Sequence, residues 1–366
     1  MKFIKSIVLI IIIVLTFDLL INLFLPENFK KKIGTTRNYS LKSTEFHHEI
    51  APKIKINEFW GENKYKVKTN EYSMRINENE SYFVDKDKEY IAFVGDSFVY
   101  GSGINYDDHF ISQLDKKKYN YLNLGYVSYS PSIYFKKIKY LIEKKNLKFK
   151  KIFIFIDHSD IQDESLFYRE DSKGNIVRNW YSDQEIAKKK FKYKIKNYLK
   201  QNSFIFKLHE NLNSPTISSK TNLCLKRLDK DLNYNEFIDL ERFGYGYKDK
   251  INNEQWVKDG INKINKYMNN IKILSLKYKF EMIIVNYPSA PEVIENISSK
   301  DTEHFKFLYN WSSRNDVKLI DVRNDFIIKK NIEDYLNNFI RCDVHWNKNG
   351  HKIIGKNIEK FLNEKN

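Results

Sequence analysis

Five short apolar runs set the tightest limit on what this chain can fold into: Ile91–Val94, Tyr119–Leu124, Ile152–Ile156, Glu281–Val285 and Val317–Ile320. Each stops abruptly at a glycine or a polar residue, at Gly95, Gly125, Asp157, Asn286 and Asp321 in turn. Unbroken apolar stretches of this length fit strands covered on both faces. Between them lie helical patterns: Asp107–Leu114, Ser130 to about Lys145, Gln255–Lys279, and Lys348–Leu362 with Ile354, Ile358, Phe361 and Leu362 on one face. Ser130 and Pro131 fit the N-cap and first turn of the second of these. Strands alternating with helices predict an α/β domain built on a parallel, doubly wound five-stranded sheet. The ends of parallel strands converge on one edge, where open α/β sheets bind ligands. That edge should gather Ser97, Gly125, Ser159 and Asp160, with the Asp343–His345 loop arriving just before the last helix.

After the first run come Gly95, Asp96 and Ser97, then a small-residue loop, Gly101-Ser102-Gly103. A hydroxyl just past a buried strand is exposed, rigidly held and close to the backbone N–H groups of the following turn. A nucleophilic serine needs all three. Ser97 has a second reading as the cap of the next helix, a role that Ser and Asp both fill well. The far end of the chain bears on the choice, because Asp343-Val344-His345-Trp346-Asn347 places an acid and an imidazole two residues apart. Imidazole is the side chain suited to act as a base near neutral pH, and an acid on its other nitrogen would orient it.

These residues resemble the SGNH (GDSL-type) hydrolase family, over most of residues 65–363. Gly95-Asp96-Ser97 resembles the family's first block, Asn123-Leu124-Gly125 its second, and Asp343 and His345 with Gly350-His351 its last. The Asp-x-His-Trp spacing is closer to the membrane-associated branch linked to polysaccharide O-acetylation than to the Asp-x-x-His of secreted lipases. Thr69-Asn70-Glu71-Tyr72-Ser73-Met74-Arg75 also resembles a segment that precedes the serine block in membrane-anchored members.

The resemblance implies a flavodoxin-like three-layer α/β/α fold, with Ser97 as nucleophile, His345 as base and then acid, and Asp343 as the orienting carboxylate. It implies an oxyanion hole made by the backbone N–H groups of Ser97 and Gly125. The third donor in the family is usually an Asn side chain, and here Asp157-His158-Ser159-Asp160 puts Ser159 in that place. A hydroxyl is shorter and offers one donor. Asp96 and Asp160 would support the site, His351 would support the last helix, and the mechanism calls for no metal and no cofactor. The expected activity is that of a serine ester hydrolase acting on an O-acylated glycan, a related cell-envelope ester or a small ester. The same triad would serve an O-acetyltransferase that passes the acyl group to a sugar hydroxyl. Ser159 also fits a non-catalytic glycan-binding or assembly protein on the same fold.

Composition bears mainly on partners. The formal net charge of +16, spread along the chain, favours anionic surfaces such as phospholipid headgroups or acidic glycans. No zinc-finger spacing, arginine cluster or nucleic-acid module occurs, so no nucleic-acid partner is expected. Cys224 and Cys342 are too few for a disulfide framework, and their spacing does not say whether they pair. His47-His48 has no third ligand nearby and is expected in a solvated loop.

At the N-terminus, Ser6–Leu25 makes about twenty mostly apolar residues, enough to cross a bilayer as one helix. Asp18 within it costs about 2.5–3.5 kcal/mol, which the many Ile and Leu residues offset. A cleaved signal peptide is the rival reading, but the bulky stretch Phe24–Phe29 offers no small-residue cleavage site. The expected plan is a membrane anchor over 1–27, a polar stalk over 28–64, and an α/β domain over 65–366 carrying a mostly helical insertion at 163–260. That insertion would form a lid or grip a polymer. Lysines flank both ends of the anchor and do not orient it. The resemblance places the catalytic domain outside the cytoplasm, in the periplasm or at the cell surface.

Overall fold

The computed structural model describes residues 39–61, 63–178, 255–294, 296–297, 302–329 and 332–364, with isolated positions between 6 and 24 and at 203 and 205. The chain divides into two units, Met1–Tyr39 with Trp180–Thr216, and Ser40–Asn179 with Ile217–Asn366. In the first unit the backbone N–H of Ile205 donates to Asp18 Oδ1 at 2.8 Å. No helix among the described residues is long and apolar enough to cross a membrane. The expected span Ser6–Leu25 lies for the most part outside the described residues, as does the insertion from 179 to 254 apart from two positions.

The second unit begins with strands where an irregular stalk was expected. β1 (Ser40–Ser43) and β2 (His47–Ile50) form an antiparallel hairpin. β3 (Lys55–Trp60), β4 (Asn63–Thr69) and β5 (Arg75–Ile76) form a three-stranded antiparallel sheet. These strands look polar in sequence because one face meets solvent: Lys55, Asn57 and Phe59 are exposed, whereas Ile56, Glu58 and Trp60 between them are half-buried. The histidines of β2 are half-buried and do not sit in a solvated loop. His48 Nε2 lies 2.7 Å from the Val127 carbonyl, which can only accept, so His48 Nδ1 takes a proton from His47 Nδ1 at 2.7 Å. Burial and the charge of Arg178 push His47 down to about 4, so the pair is neutral at pH 7.

The main sheet has β6 (Glu89–Val94), β7 (Asn120–Asn123), β8 (Lys148–Ile156), β11 (Glu281–Asn286) and β12 (Lys318–Asp321) in the order β12-β11-β8-β6-β7, every pair parallel. The short hairpin β9 (Tyr168–Glu170) and β10 (Ile176–Arg178) opens the insertion, where no strand was expected. Among the described residues, the α-helices of the second unit are α1 (Ser97–Tyr100), α2 (Pro131–Glu143), α3 (His158–Gln162), α4 (Gln255–Tyr278), α5 (Ala290–Ile294), α6 (Glu303–Asn315), α7 (Arg323–Phe326), α8 (Ile332–Asn338) and α9 (Lys348–Asn363).

Period-two alternation divides the strand side chains between two buried faces. Ile91, Phe93, Phe153, Phe155, Ile283 and Val285 share one apolar cluster with Ile354, Ile358 and Leu362 of α9. Ala92, Ile152, Ile154 and Ile284 point the other way and are equally buried. On that side α4 runs against β11 and α2. Helices on both faces explain why these strands read as continuous apolar runs.

One local expectation is corrected. Asp107–Leu114 forms two 3₁₀ turns, Tyr106–Asp108 and Phe110–Gln113, and not one helix. His109 between them is extended and its side chain accepts from Ile111 N, so it ends one turn and caps the next. Ser130 stands at the N-cap of α2 and Pro131 in its first turn, as expected, but Ser130 makes no side-chain cap bond, because its hydroxyl donates to the buried Glu164 at 2.6 Å.

The Thr69–Arg75 segment braces the loop behind Ser97. Asn70 Oδ1 accepts from Tyr72 N and Met74 N at 2.9 and 3.1 Å, closing a turn that aims Arg75 inward. The buried guanidinium donates to the carbonyls of Tyr100, Gly101 and Lys66 at 2.9, 2.5 and 3.2 Å, and also to that of Ile104. Gly101 has φ +79, and a Cβ there would lie 2.8 Å from Arg75 Nη1, so only glycine fits. Replacing Arg75 by methionine strands several buried carbonyls. It is expected to lower stability by at least about 3 kcal/mol, read from the denaturant midpoint.

On the β11–β12 side of the same edge, Glu292 of α5 is fully buried. Its carboxylate accepts from Arg323 Nη1 at 3.0 Å and from Ser289 N at 2.8 Å, and His158 Nδ1 lies 3.9 Å away. Burial alone would raise its pKa. The neighbouring His304, Arg323 and His158 outweigh burial and hold the group at about 2.

Candidate active site

β6 ends at Val94, and the chain turns through Gly95 into α1 with Asp96 as N-cap, its Oδ1 accepting from Phe98 N at 2.9 Å. Ser97 therefore occupies the first helical position, where backbone N–H groups have no partner inside the helix. Ser97 does open a helix, yet the cap is Asp96, which leaves the serine hydroxyl available.

The last block is held by the loop between α8 and α9. Phe339 and Trp346 form an isolated antiparallel bridge, and Ile340 N donates to His345 O at 2.8 Å. Asn347 caps α9, its Oδ1 accepting from Asn349 N and Gly350 N. Trp346 is fully buried beneath the loop, with Phe98 and Tyr287 at centroid distances of 4.9 and 4.7 Å. The Asp343 backbone is pinned by the Tyr335 hydroxyl, 2.9 Å from its carbonyl and 3.2 Å from its N–H.

This scaffold brings the two ends of the domain together. His345 Nε2 lies 2.8 Å from Ser97 Oγ, and His345 Nδ1 lies 2.5 Å from Asp343 Oδ1. Asp343 Oδ1 also accepts the His345 backbone N–H at 2.9 Å. Burial works to raise the Asp343 pKa, but the adjacent His345 ring and the hydrogen bonds from His345 and Trp60 outweigh it and hold it below the usual carboxylate range. A hydroxyl, an imidazole and a carboxylate in this sequence of contacts are able to move a proton from the hydroxyl to the ring.

The other expected residues lie along the same edge. Gly125 follows β7 and packs so closely on α1 that a Cβ would sit 2.7 Å from Tyr100 N. Its N–H donates to Asn123 Oδ1 at 2.9 Å. Ser159, on α3 after β8, donates its hydroxyl to Asp157 Oδ1 at 2.6 Å. Because that hydroxyl is already committed, Ser159→Ala is expected to change ester turnover by less than about threefold. An oxyanion donor removed from this position would cost about a hundredfold or more, and kcat with a p-nitrophenyl ester separates the two outcomes.

Asp160 and Asp157 form a capping box on α3, and Asp160 Oδ1 also accepts from the Tyr134 hydroxyl at 3.0 Å. Burial, with the charge of Asp157, pushes Asp96 up to about 7, and the same two causes raise Asp160. Among the described residues no group of three or more His, Cys, Asp or Glu side chains is placed to hold a metal ion. His351 is buried against Trp346 and Phe110, and its Nδ1 accepts from Phe110 N at 3.4 Å. Cys342, beside Asp343, is disulfide-bonded, and Cys224 lies outside the described residues.

One side chain in contact with these residues was not anticipated. Trp60 of β3 places its indole Nε1 3.1 Å from both Asp343 oxygens and from His345 Nδ1. The sequence carries no signal for it: Lys55–Trp60 does not alternate in hydropathy, since the half-buried positions include Glu58 and the exposed ones Phe59.

No family model and no curated protein matches the chain. Several solved structures of esterases, acylhydrolases and lipolytic proteins of the G-D-S-L family are similar to it at low identity. An acetyl xylan esterase, AlAXEase, is 11% identical, with 75% of this chain and 99% of that chain covered and a TM-score of 0.39. The psychrotrophic esterase EstA from Pseudoalteromonas sp. is 10% identical, with 76% and 100% covered and a TM-score of 0.37. A lipase/acylhydrolase from Enterococcus faecalis is 9% identical, with 75% and 95% covered and a TM-score of 0.36.

Proposed function

We propose that this chain is a serine ester hydrolase of the SGNH type. The observation that carries the reading is the contact chain from Ser97 Oγ through His345 to Asp343, at 2.8 and 2.5 Å. His345 Nε2 takes the Ser97 proton as Oγ attacks the ester carbonyl. The ring then returns that proton to the departing alcohol, leaving an acyl-serine. A water, deprotonated by the same nitrogen, attacks the acyl group, and the ring gives that proton to Ser97 Oγ as the acyl–oxygen bond breaks and the acid leaves. Asp343 stabilises the imidazolium that forms in both halves. The Ser97 N–H, first in its helix, and the Gly125 N–H, which exchanges Asn123 for the ligand, would hold the oxyanion.

The proposed substrate is an O-acylated glycan or related envelope ester, met outside the cytoplasm by a domain tethered through residues 1–27. The apolar run Ser6–Leu25, the +16 charge and the disulfide at Cys342 support that placement, since disulfides persist in oxidising compartments. The test is covalent labelling of the full chain by a fluorophosphonate, followed by a panel of acetylated glycans and p-nitrophenyl esters. Labelling at Ser97 with release of acetate is the expected result, and no labelling of the folded protein would overturn the reading.

A further inference from the structure

We infer that Trp60 is a positioning residue for the reaction proposed above: its indole N–H anchors the Asp343 carboxylate and so fixes the His345 ring against Ser97. The inference rests on the Ser97–His345–Asp343 reading. Trp60 Nε1 has one proton and three acceptor-type atoms at 3.1 Å, Asp343 Oδ1, Asp343 Oδ2 and His345 Nδ1. His345 Nδ1 is 2.5 Å from Asp343 Oδ1 and must donate its own proton there, so it cannot receive a second. The indole proton therefore belongs to the carboxylate. Oδ1 already accepts the ring N–H and the backbone N–H of His345, whereas the contact to Oδ2 comes from Trp60. With Oδ2 anchored from one side and Oδ1 engaged from the other, the carboxylate has little freedom to rotate away from the imidazole.

The indole is itself rigidly delivered. It packs edge-on against the His345 ring, with centroids 4.8 Å apart and planes at 81°. The hairpin that carries it is clipped to the loop after α1: Asn63 Nδ2 donates to Gly103 O, and Lys66 N to Asn105 Oδ1, each at 3.0 Å. A residue on an accessory sheet thus completes the hydrogen bonding of the acid from the last block.

Removing only the N–H should act in two ways. The carboxylate loses orientation, which lowers kcat. It also loses one of the hydrogen bonds that hold the Asp343 carboxyl below the usual range, so the carboxylate becomes more basic. The ionisable groups around His345 are Asp343, Asp96 under the nucleophile and the buried His351, and all are retained when Trp60 is changed.

The experiment compares the full chain with Trp60→Phe, which keeps an aromatic ring and deletes the donor. The readouts are p-nitrophenyl acetate turnover and the pH dependence of fluorophosphonate inactivation. The expected result is a kcat lower by about tenfold, the scale of one hydrogen bond to a charged group, with KM changed less than about twofold. The acid limb of the inactivation profile should move to higher pH. If Trp60→Phe loses its native circular dichroism, Trp60→Leu, which also lacks a donor, takes its place with the same expectation. Wild-type kcat and an unmoved acid limb in a folded variant would overturn the inference, leaving Trp60 as packing alone. A wild-type chain inert to fluorophosphonate is a different failure: it removes the esterase reading, and the role of Trp60 falls with it.

Discussion

Ser97→Ala is expected to lower ester turnover by on the order of 10⁴-fold or more, with the melting temperature held close to that of the parent. The size of the effect follows from the chemistry, since no other atom at this position can form the acyl intermediate. The mildness toward folding follows from the local structure. Asp96 caps α1, and Ser97 supplies the helix with a backbone position and no side-chain cap. What the substitution takes away is the hydrogen bond between the hydroxyl and His345 Nε2, at 2.8 Å. His345→Ala should be about as damaging, because a serine without its base is a weak nucleophile. The double variant should be no worse than either single one, since groups acting as a unit are non-additive. Steady-state kinetics on an activated ester, with circular dichroism melts alongside, check all three. Full activity in Ser97→Ala would move the chemistry elsewhere.

Glu292→Gln is expected to cost about 3–5 kcal/mol at neutral pH, the penalty for removing one partner of a buried ion pair. Glutamine has the right shape, but it leaves the Arg323 guanidinium buried opposite a neutral amide, where it now has a carboxylate at 3.0 Å. The cost should depend on pH in one direction. In the fold this carboxyl is held at about 2, below its ordinary value of 4.5, so the unfolded chain binds the proton more readily. The stability that the ionised group contributes is therefore complete above the unfolded value and is lost as pH falls toward the folded one. The gap between parent and variant should be widest near neutrality, narrow below pH 4.5 and close near pH 2. Urea melts of both proteins across that range test the direction. A gap that widened on acidification would contradict the ion-pair account.

Much of this fold was legible before any coordinates. The runs at Ile91, Ile152 and Glu281 became β6, β8 and β11, because strands covered on both faces must be apolar at every position, and few other structures demand that. The helices at Pro131, Gln255 and Lys348 were equally plain from their periodicity. The strands from Ser40 to Thr69 were not. They are half-exposed, short and lysine-rich, and their apolar residues are too sparse to stand out from a polar linker. His109 likewise broke an apparently helical segment through a side-chain cap that no propensity describes.

What the amino-acid sequence determined by itself was the α/β pattern and the chemical types gathered at the strand ends: a serine after β6, a glycine after β7, and an acid and an imidazole before α9. These are local properties, written in runs of neighbouring residues. What only the tertiary structure decided was which of those groups touch. Ser97 meets His345 across the whole domain, the Ser159 hydroxyl turns to Asp157, and Trp60 reaches Asp343 from a separate sheet. Such contacts depend on how elements distant in the chain pack, and a side chain's nearest neighbours in sequence carry no record of them.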